Sequence, residues 1–475
     1  MFLLFYKRLA LICVLLMFFS GINISLFADD FDSSEKLEFV RQIIRTRYID
    51  DISEEILQKE EIDEIFENLD RYSEYMTVDK SNEFMDAIDL QYEGIGVKVE
   101  KVDQALLITS VFEGGGAFDS GLEAGDLLLE VDGQSIAELT LNEAVSLIRG
   151  DEGTFVDLLV LKDDSLEYND ISVQRRRLNA PIVDAKRLGG NIGYIRLYSF
   201  GKESARQISQ AIDKLGYVNY YIFDLRNNSG GLLNVSQAVL GFFNDIDKAL
   251  IVRQRNREDT VYYPFRQDKS FDKDVITLIN KYSASASEIV AGAISDYSAG
   301  TLYGQRTFGK GSVQSMFEIR RNNGDVFDMI KLTTARFLSP KGTIIDENGI
   351  KPDVETKEGK ELFEAHSDLL ERVYLNYSKL PPLERGVDTN SFEVRFTSSI
   401  QEETLDEKFK IVNIGGKKID IGYDKISEDS VRISLNEELK EDNEYILYIH
   451  PGIKGQNGSI LNQGYSVDIS IEVQN

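Results

Sequence analysis

Histidine and cysteine are nearly absent from this 475-residue chain, and each scarcity removes a class of chemistry. The one cysteine, Cys13, lies inside an N-terminal apolar run, so disulfides, thiolate zinc sites and a cysteine nucleophile are excluded from the rest. The two histidines, His366 and His450, fall late in the chain and exclude a histidine-rich metal site. No acidic loop has EF-hand spacing, so neither a metal nor a cofactor is expected. Positive charge is also short: 53 Lys and Arg stand against 81 Asp and Glu, for a net charge of −28. With no basic run to neutralise phosphates, nucleic acid is excluded as a partner. What is present, 42% hydrophobic residues and 36 glycines against 7 prolines, suits a globular α/β protein.

The N-terminus has the layout of an export signal, with Lys7 and Arg8 before an apolar run from Leu9 to Phe19. That run is short for a spanning helix, which needs about 20 residues. Cleavage is expected after Ala28, although Leu26 occupies a position that prefers a small side chain; the alternative is retention as an anchor. The protein is therefore expected to be exported and periplasmic, either soluble or attached to the inner membrane by an uncleaved segment.

Residues 1–28 thus form a leader or anchor, and 29–90 a helical segment. Its apolar stripes are Leu37, Val40, Ile43 and Ile44, then Ile62, Ile65, Phe66 and Leu69. Over 91–176 the pattern turns to short β runs, expected from Gly94, Ala105, Asp126 and Phe155, with one helix over Leu141–Arg149. Residues 177–360 alternate strand and helix, as an α/β core does. A linker is expected over 361–387, which contains Leu380-Pro381-Pro382, and 388–475 reads as all-β. The predicted fold class is multidomain α/β + β.

The segment GLEAGDLLLEVDG from Gly121, followed by the helix NEAVSLIRG, resembles a PDZ domain. That resemblance implies a loop at Gly94, Ile95, Gly96 and Val97 whose N–H groups take a peptide's terminal carboxylate while a strand edge pairs with the peptide. The plainer reading of the glycine pair is a bulge or hairpin. Residues 388–475 resemble bacterial immunoglobulin-like domains, which implies a β-sandwich serving as a spacer or docking surface.

Chemistry concentrates in KYSASASEIVAGAISDYSAGTLYGQRTFGKGSVQ, Lys281 to Gln314. Ser283, Ser285 and Ser287 compete as nucleophile at a strand-to-helix turn. Ser285 and Glu288 also spell an S-x-x-E capping box, which is the purely structural reading of the same residues. A nucleophile there would meet unpaired helix N–H groups that stabilise a developing oxyanion. Upstream, Gly230-Gly231 opens a second helix after a buried strand and could bring N–H groups to the same ligand, completing an oxyanion hole with Ala286. The stretch GQRTFGKG followed by Ser312 imitates a phosphate-binding loop but fails, since Gly311 takes the hydroxyl position and a strand follows instead of a helix. Lys310 between its two glycines is placed to be buried and neutral, as a base must be with no imidazole at hand. Gln314, on the same strand face, could orient it.

SASASEIVAG, SDYSAG, TFGKGSVQ, the upstream DLRNNSGG and the downstream GIKPDV match the tail-specific, or C-terminal-processing, serine proteases, which the chain resembles from about Phe31 to Thr356. The resemblance implies a crotonase-like catalytic core after the PDZ domain, with Ser285 as nucleophile, Lys310 as general base and Gln314 as orienting partner. Gly230 or Gly231 and Ala286 would line the oxyanion hole, and Asp296 would be structural. It further implies endoproteolysis of envelope proteins near a free C-terminus held by the PDZ domain. Departures occur at Tyr282, at Ser229 and in LDRYSEYM from Leu69, where the family commonly has glycine, proline and a proline-containing version. None removes a group the chemistry needs. The competing readings are a non-catalytic PDZ and immunoglobulin-like binding protein, and a crotonase-type acyl-CoA enzyme, against which the export signal argues.

Overall fold

The computed structural model describes residues 27–28, 33–89, 91–112, 114–163, 167–179, 182–321, 326–386, 391–437, 439 and 443–472. The leader expected over 1–28 therefore lies almost wholly outside the described residues. No helix among the described residues is long and apolar enough to cross a membrane. The chain separates into two compact units, one of residues 76–182 with 326–329 and one of the remainder.

In the smaller unit an antiparallel sheet has the order Val97–Val102, Ala105–Val111, Leu127–Val131, Phe155–Leu161, Tyr168–Gln174. Strand alternation explains its one-sided core: Val156, Leu158 and Val160 are buried, while Phe155 before them and Asp157 between them are exposed. Helix Leu141–Ile148 packs Ala144 and Ile148 into the same core and starts with a capping box, Thr140 with Glu143. The single run expected from Gly94 is two strands in different sheets. Gln91–Gly94 pairs with Arg176–Asn179, and the main sheet takes the chain only from Val97. The break is Gly96, whose φ of +86° no β-branched residue would accept.

The larger unit is built on a sheet of β1 (Val183–Leu188), β2 (Ile192–Leu197), β3 (Tyr220–Asp224), β6 (Val275–Ile279), β7 (Thr301–Gly304) and β10 (Val354–Glu355), in that spatial order. Only β1 is antiparallel to its neighbour. Between them run α1 (Ser204–Leu215), α2 (Leu233–Leu240) and α3 (Ala286–Tyr297). Every residue of β6 is buried, as expected of a central parallel strand covered on both faces. Ala286 to Ile294 of α3 are buried as well, with Ser287 and Glu288 the polar members of that stretch. A second sheet has the order β8 (Ser312–Arg321), β9 (Val326–Leu338), β4 (Leu250–Gln254), β5 (Thr260–Tyr262). Helices Ser33–Arg47, Glu54–Leu57 and Ile62–Phe66 precede the core and bury Val40, Ile44, Leu57 and Ile65.

Residues 361–373 of the expected linker form helix α4 (Glu361–Val373), which buries Ala365, His366, Leu369 and Leu370. Leu380-Pro381-Pro382 marks a break, but the helical spacing of those four apolar-face positions lies before it. Beyond it, strands Phe409–Asn413, Tyr445–Ile449 and Tyr465–Glu472 belong to one sheet and Ser391–Arg395, Ile421–Lys425 and Ser430–Leu435 to another. The two share a core of Phe392, Ile411, Val431, Ile433, Leu447 and Ile469.

His366 bolts this region to the central sheet. Its Nε2 lies 2.9 Å from the Gly189 carbonyl, and its Nδ1 accepts the Gly415 N–H at 2.7 Å. That pattern requires a neutral ring, and burial pushes its pKa down to about 4. An unfolded histidine takes up its proton near pH 6.5, so the folded state is favoured above that pH and loses this contribution between 6.5 and about 4. His366→Gln should therefore be less stable than the native chain at pH 7.5, with the gap in urea midpoint closing as the pH falls through that window. A gap independent of pH would show that the ring takes up its proton at the same pH in the folded and unfolded chain.

Candidate active site

Strand β6 delivers the chain to a turn at 280–285 that is sewn to the loop leaving β3. The Asn280 Oδ1 accepts from the N–H of Asn227 at 3.0 Å and of Tyr282 at 3.1 Å. These contacts separate the three competing serines. The Ser283 hydroxyl donates to the Leu225 carbonyl and the Ser287 hydroxyl to the Asn228 carbonyl, each at 2.8 Å, and both residues are fully buried. They are stitches. Ser285 is half-buried, its hydroxyl makes no cap bond, and its backbone holds φ +55°, ψ −113°. That conformation is costly for a residue with a Cβ, and such strain gathers at functional sites.

Glu288 stands at the centre of the arrangement. The Glu288 N–H donates to the Ser285 carbonyl at 2.8 Å, closing the first turn of α3. The carboxylate, fully buried, accepts four hydrogen bonds. They come from the N–H of Ser285 (2.9 Å), Gly309 (2.7 Å) and Lys310 (2.8 Å) and from the hydroxyl of Thr307 (2.6 Å). One side chain thus ties the serine turn to the lysine loop. Burial pushes its pKa upward, and the four bonds oppose that shift.

The glycine pair comes to the same place. A Cβ on Gly230 would lie 2.8 Å from the Ser285 Cβ and 3.0 Å from the Ala286 nitrogen, and its φ is +110°. Glycine is required there on both counts. Yet the Gly230 N–H is committed, donating to Asn228 Oδ1 at 2.9 Å, so Gly230 gives room and not a donor. Among the described residues, the N–H groups of Gly231 and Ala286 have no hydrogen-bond acceptor.

Lys310 is half-buried, and its ammonium sits 4.6 Å from the centre of the Tyr72 ring. Desolvation is the largest influence on its pKa and lowers it, with Lys331 and Arg71 acting the same way and Asp70 and Glu288 opposing. Gln314 follows on β8, but its amide donates to the hydroxyls of Ser312 (3.0 Å) and Thr333 (3.2 Å), and among the described residues it makes no bond to Lys310. Asp296 accepts the Lys341 N–H at 2.7 Å.

In the smaller unit, Gly94 ends one strand and Val97 begins another. The Ile95 side chain is 1% exposed and belongs to the core, while its carbonyl accepts the Ala117 N–H at 2.8 Å.

Comparison with known proteins gives the family. Residues 191–356 match Peptidase family S41 and residues 85–161 the PDZ domain. A probable CtpA-like serine protease of Staphylococcus aureus is 31% identical over 340 residues, which are 70% of this chain and 66% of that one. This chain thus spans just under two thirds of the staphylococcal relative's length. A carboxy-terminal-processing protease of Bartonella bacilliformis is 33% identical over 321 residues, 66% of this chain and 72% of its own. Among solved structures, the photosystem II D1 C-terminal processing protease aligns with a TM-score of 0.45 at 21% identity, covering 72% of this chain and 97% of that chain. With a third of the aligned residues shared with a relative covered over 72% of its length, the chain belongs to peptidase family S41 and carries a PDZ domain.

Proposed function

We propose that this protein is a serine endopeptidase that cleaves envelope proteins near their C-termini. The observation that carries the reading is the Glu288 carboxylate, which grips the N–H of Ser285 and of Lys310 at once. It fixes the one uncommitted serine and a partly buried lysine to a common point. In this reading neutral Lys310 takes the Ser285 hydroxyl proton as the oxygen attacks the scissile carbonyl. To serve near neutral pH the amine must lie well below the usual lysine value, and burial, which disfavours the ammonium, moves it in that direction. The N–H groups of Gly231 and Ala286 receive the oxyanion, at the positive end of α3. Lys310 then gives its proton to the departing amine, and water hydrolyses the acyl-enzyme. Gln314, its amide nitrogen already committed, has Oε1 left to accept from the charged lysine.

The core is read as crotonase-like, and the paired C-terminal sheets as an immunoglobulin-like sandwich. The loop Gly94–Val97 would hold a substrate's free carboxylate, as PDZ loops do. Export to the periplasm, with or without retention at the inner membrane, rests on the N-terminal run from Leu9 to Phe19.

The test is a purified pair, native and Ser285→Ala, on a peptide with an apolar free C-terminus and on its C-terminal amide. Ser285→Ala should lower kcat/KM about a thousandfold or more, as loss of a nucleophile does. Amidation should weaken cleavage by the native enzyme severalfold. Equal cleavage by the native and Ser285→Ala proteins would remove the nucleophile assignment.

A further inference from the structure

The segment LDRYSEYM, without a role in the sequence, lies on the proposed base. Its turn at Asp70–Ser73 is fixed from both sides. Asp70 accepts from its own Tyr72 N–H (2.9 Å) and Ser73 hydroxyl (2.7 Å), and also from the hydroxyl of Thr333 on β9 (2.9 Å). The Thr333 N–H returns a bond to Ser73 at 3.0 Å, and Thr333 is the residue that accepts from Gln314. Lys331, two residues earlier on the strand, pairs with Glu74 at 2.8 Å. So held, the turn presents Tyr72 to the Lys310 ammonium at 4.6 Å from the ring centre. The exposed guanidinium of Arg71 lies 4.8 Å from the centre of the same ring and donates to the Tyr72 hydroxyl at 2.6 Å. Two cations therefore share one aromatic ring.

We propose that the Asp70–Ser73 turn positions and tunes the Lys310 amine, Tyr72 as the platform that holds it and Arg71 as the charge that keeps it short of protons. This rests on Lys310 being the base of the proposed protease. The charged groups around the amine are Arg71 and Lys331, which repel a proton, and Asp70 and Glu288, which attract one. Lys331 is neutralised by Glu74 and Asp70 is committed to three hydrogen bonds, so Arg71 is the member that can be altered without breaking the turn. Its exposure makes the effect modest and sensitive to salt.

The decisive measurement is the Lys310 pKa itself, read by NMR of 13C-labelled lysine and assigned with Lys310→Met. Arg71→Gln should raise it by about half a unit at low ionic strength, leaving roughly threefold less neutral amine at pH 7. Arg71→Lys should restore the native value, and 0.5 M NaCl should shrink the difference. The pH limb of kcat/KM should shift upward equally, with its alkaline plateau kept. Tyr72→Leu should lower kcat about tenfold with KM unchanged, and Tyr72→Phe should recover most of that loss. A Lys310 pKa that is unmoved or lower in Arg71→Gln overturns the proposal. If instead Ser285→Ala cleaves as the native protein does, the protease reading falls while the NMR titration still decides whether Arg71 tunes the amine.

Discussion

Lys310→Arg should be inactive, with peptide cleavage reduced about a thousandfold or more, although size and charge are nearly kept. A guanidinium does not give up its proton at any pH a protein survives, so it cannot take one from Ser285. In the native protein kcat/KM should rise with pH through an apparent pKa well below the usual lysine value, because desolvation disfavours the ammonium. The same shift has a consequence for stability. A folded pKa below the unfolded one means that folding is favoured by this group only above about pH 10.4 and is opposed at neutral pH, where the unfolded chain holds the proton more firmly. Lys310→Met, which fills the space without a charge, should therefore be inactive and melt a few degrees higher than the native protein. A thermal scan beside the peptide assay separates this from simple damage: lost activity with a lower melting point would mean that Lys310 stabilises the fold and is not held there for chemistry.

Much of this site was legible because its parts are local. The buried strand at DVITLIN, the serine turn and the apolar helix after it are neighbours in sequence, and they appear as β6 and α3. The strand after Lys310 was equally readable from the alternation in SVQSMFEIR. What could not be read depended on distant contacts. Choosing among three serines required the carbonyls of Leu225 and Asn228, about 60 residues upstream, which engage Ser283 and Ser287 and leave Ser285. The commitment of the Gly230 N–H to Asn228 is a side-chain geometry with no pattern in the sequence. The turn at Tyr72 lies more than 200 residues before the lysine it touches. The split at Gly96 had a local signal, but a strand pattern continues on both sides of it and only the pairing partners differ.

Glu288 is where a familiar local motif carried a larger meaning, and Glu288→Ala should have the second large effect. In the capping-box reading this residue satisfies one N–H at the start of a helix, and its loss would cost about 1 kcal/mol. In the structure it satisfies three backbone N–H groups and a threonine hydroxyl, joining two segments that the Phe308 N–H also links, through a bond to the Ser283 carbonyl at 3.0 Å. Truncation leaves those donors buried without acceptors, each costing roughly 1–3 kcal/mol unless water enters. A total loss of about 4 kcal/mol in urea unfolding is expected, well beyond a cap. Activity should fall further than stability does. Even where the variant is fully folded, the Lys310 loop loses the bonds that fix Gly309 and Lys310 beside Ser285 and keeps the Phe308 bond to Ser283, and misplacement of a base by about 1 Å costs on the order of a hundredfold. Glu288→Gln keeps one acceptor oxygen and sets an amide donor against the remaining N–H groups, so it should fall between the two. Measured at a temperature where all three proteins are folded, kcat should rank native, then Gln, then Ala. A Glu288→Ala protein that loses only cap-sized stability and cleaves at the native rate would show that the two segments hold their places without it.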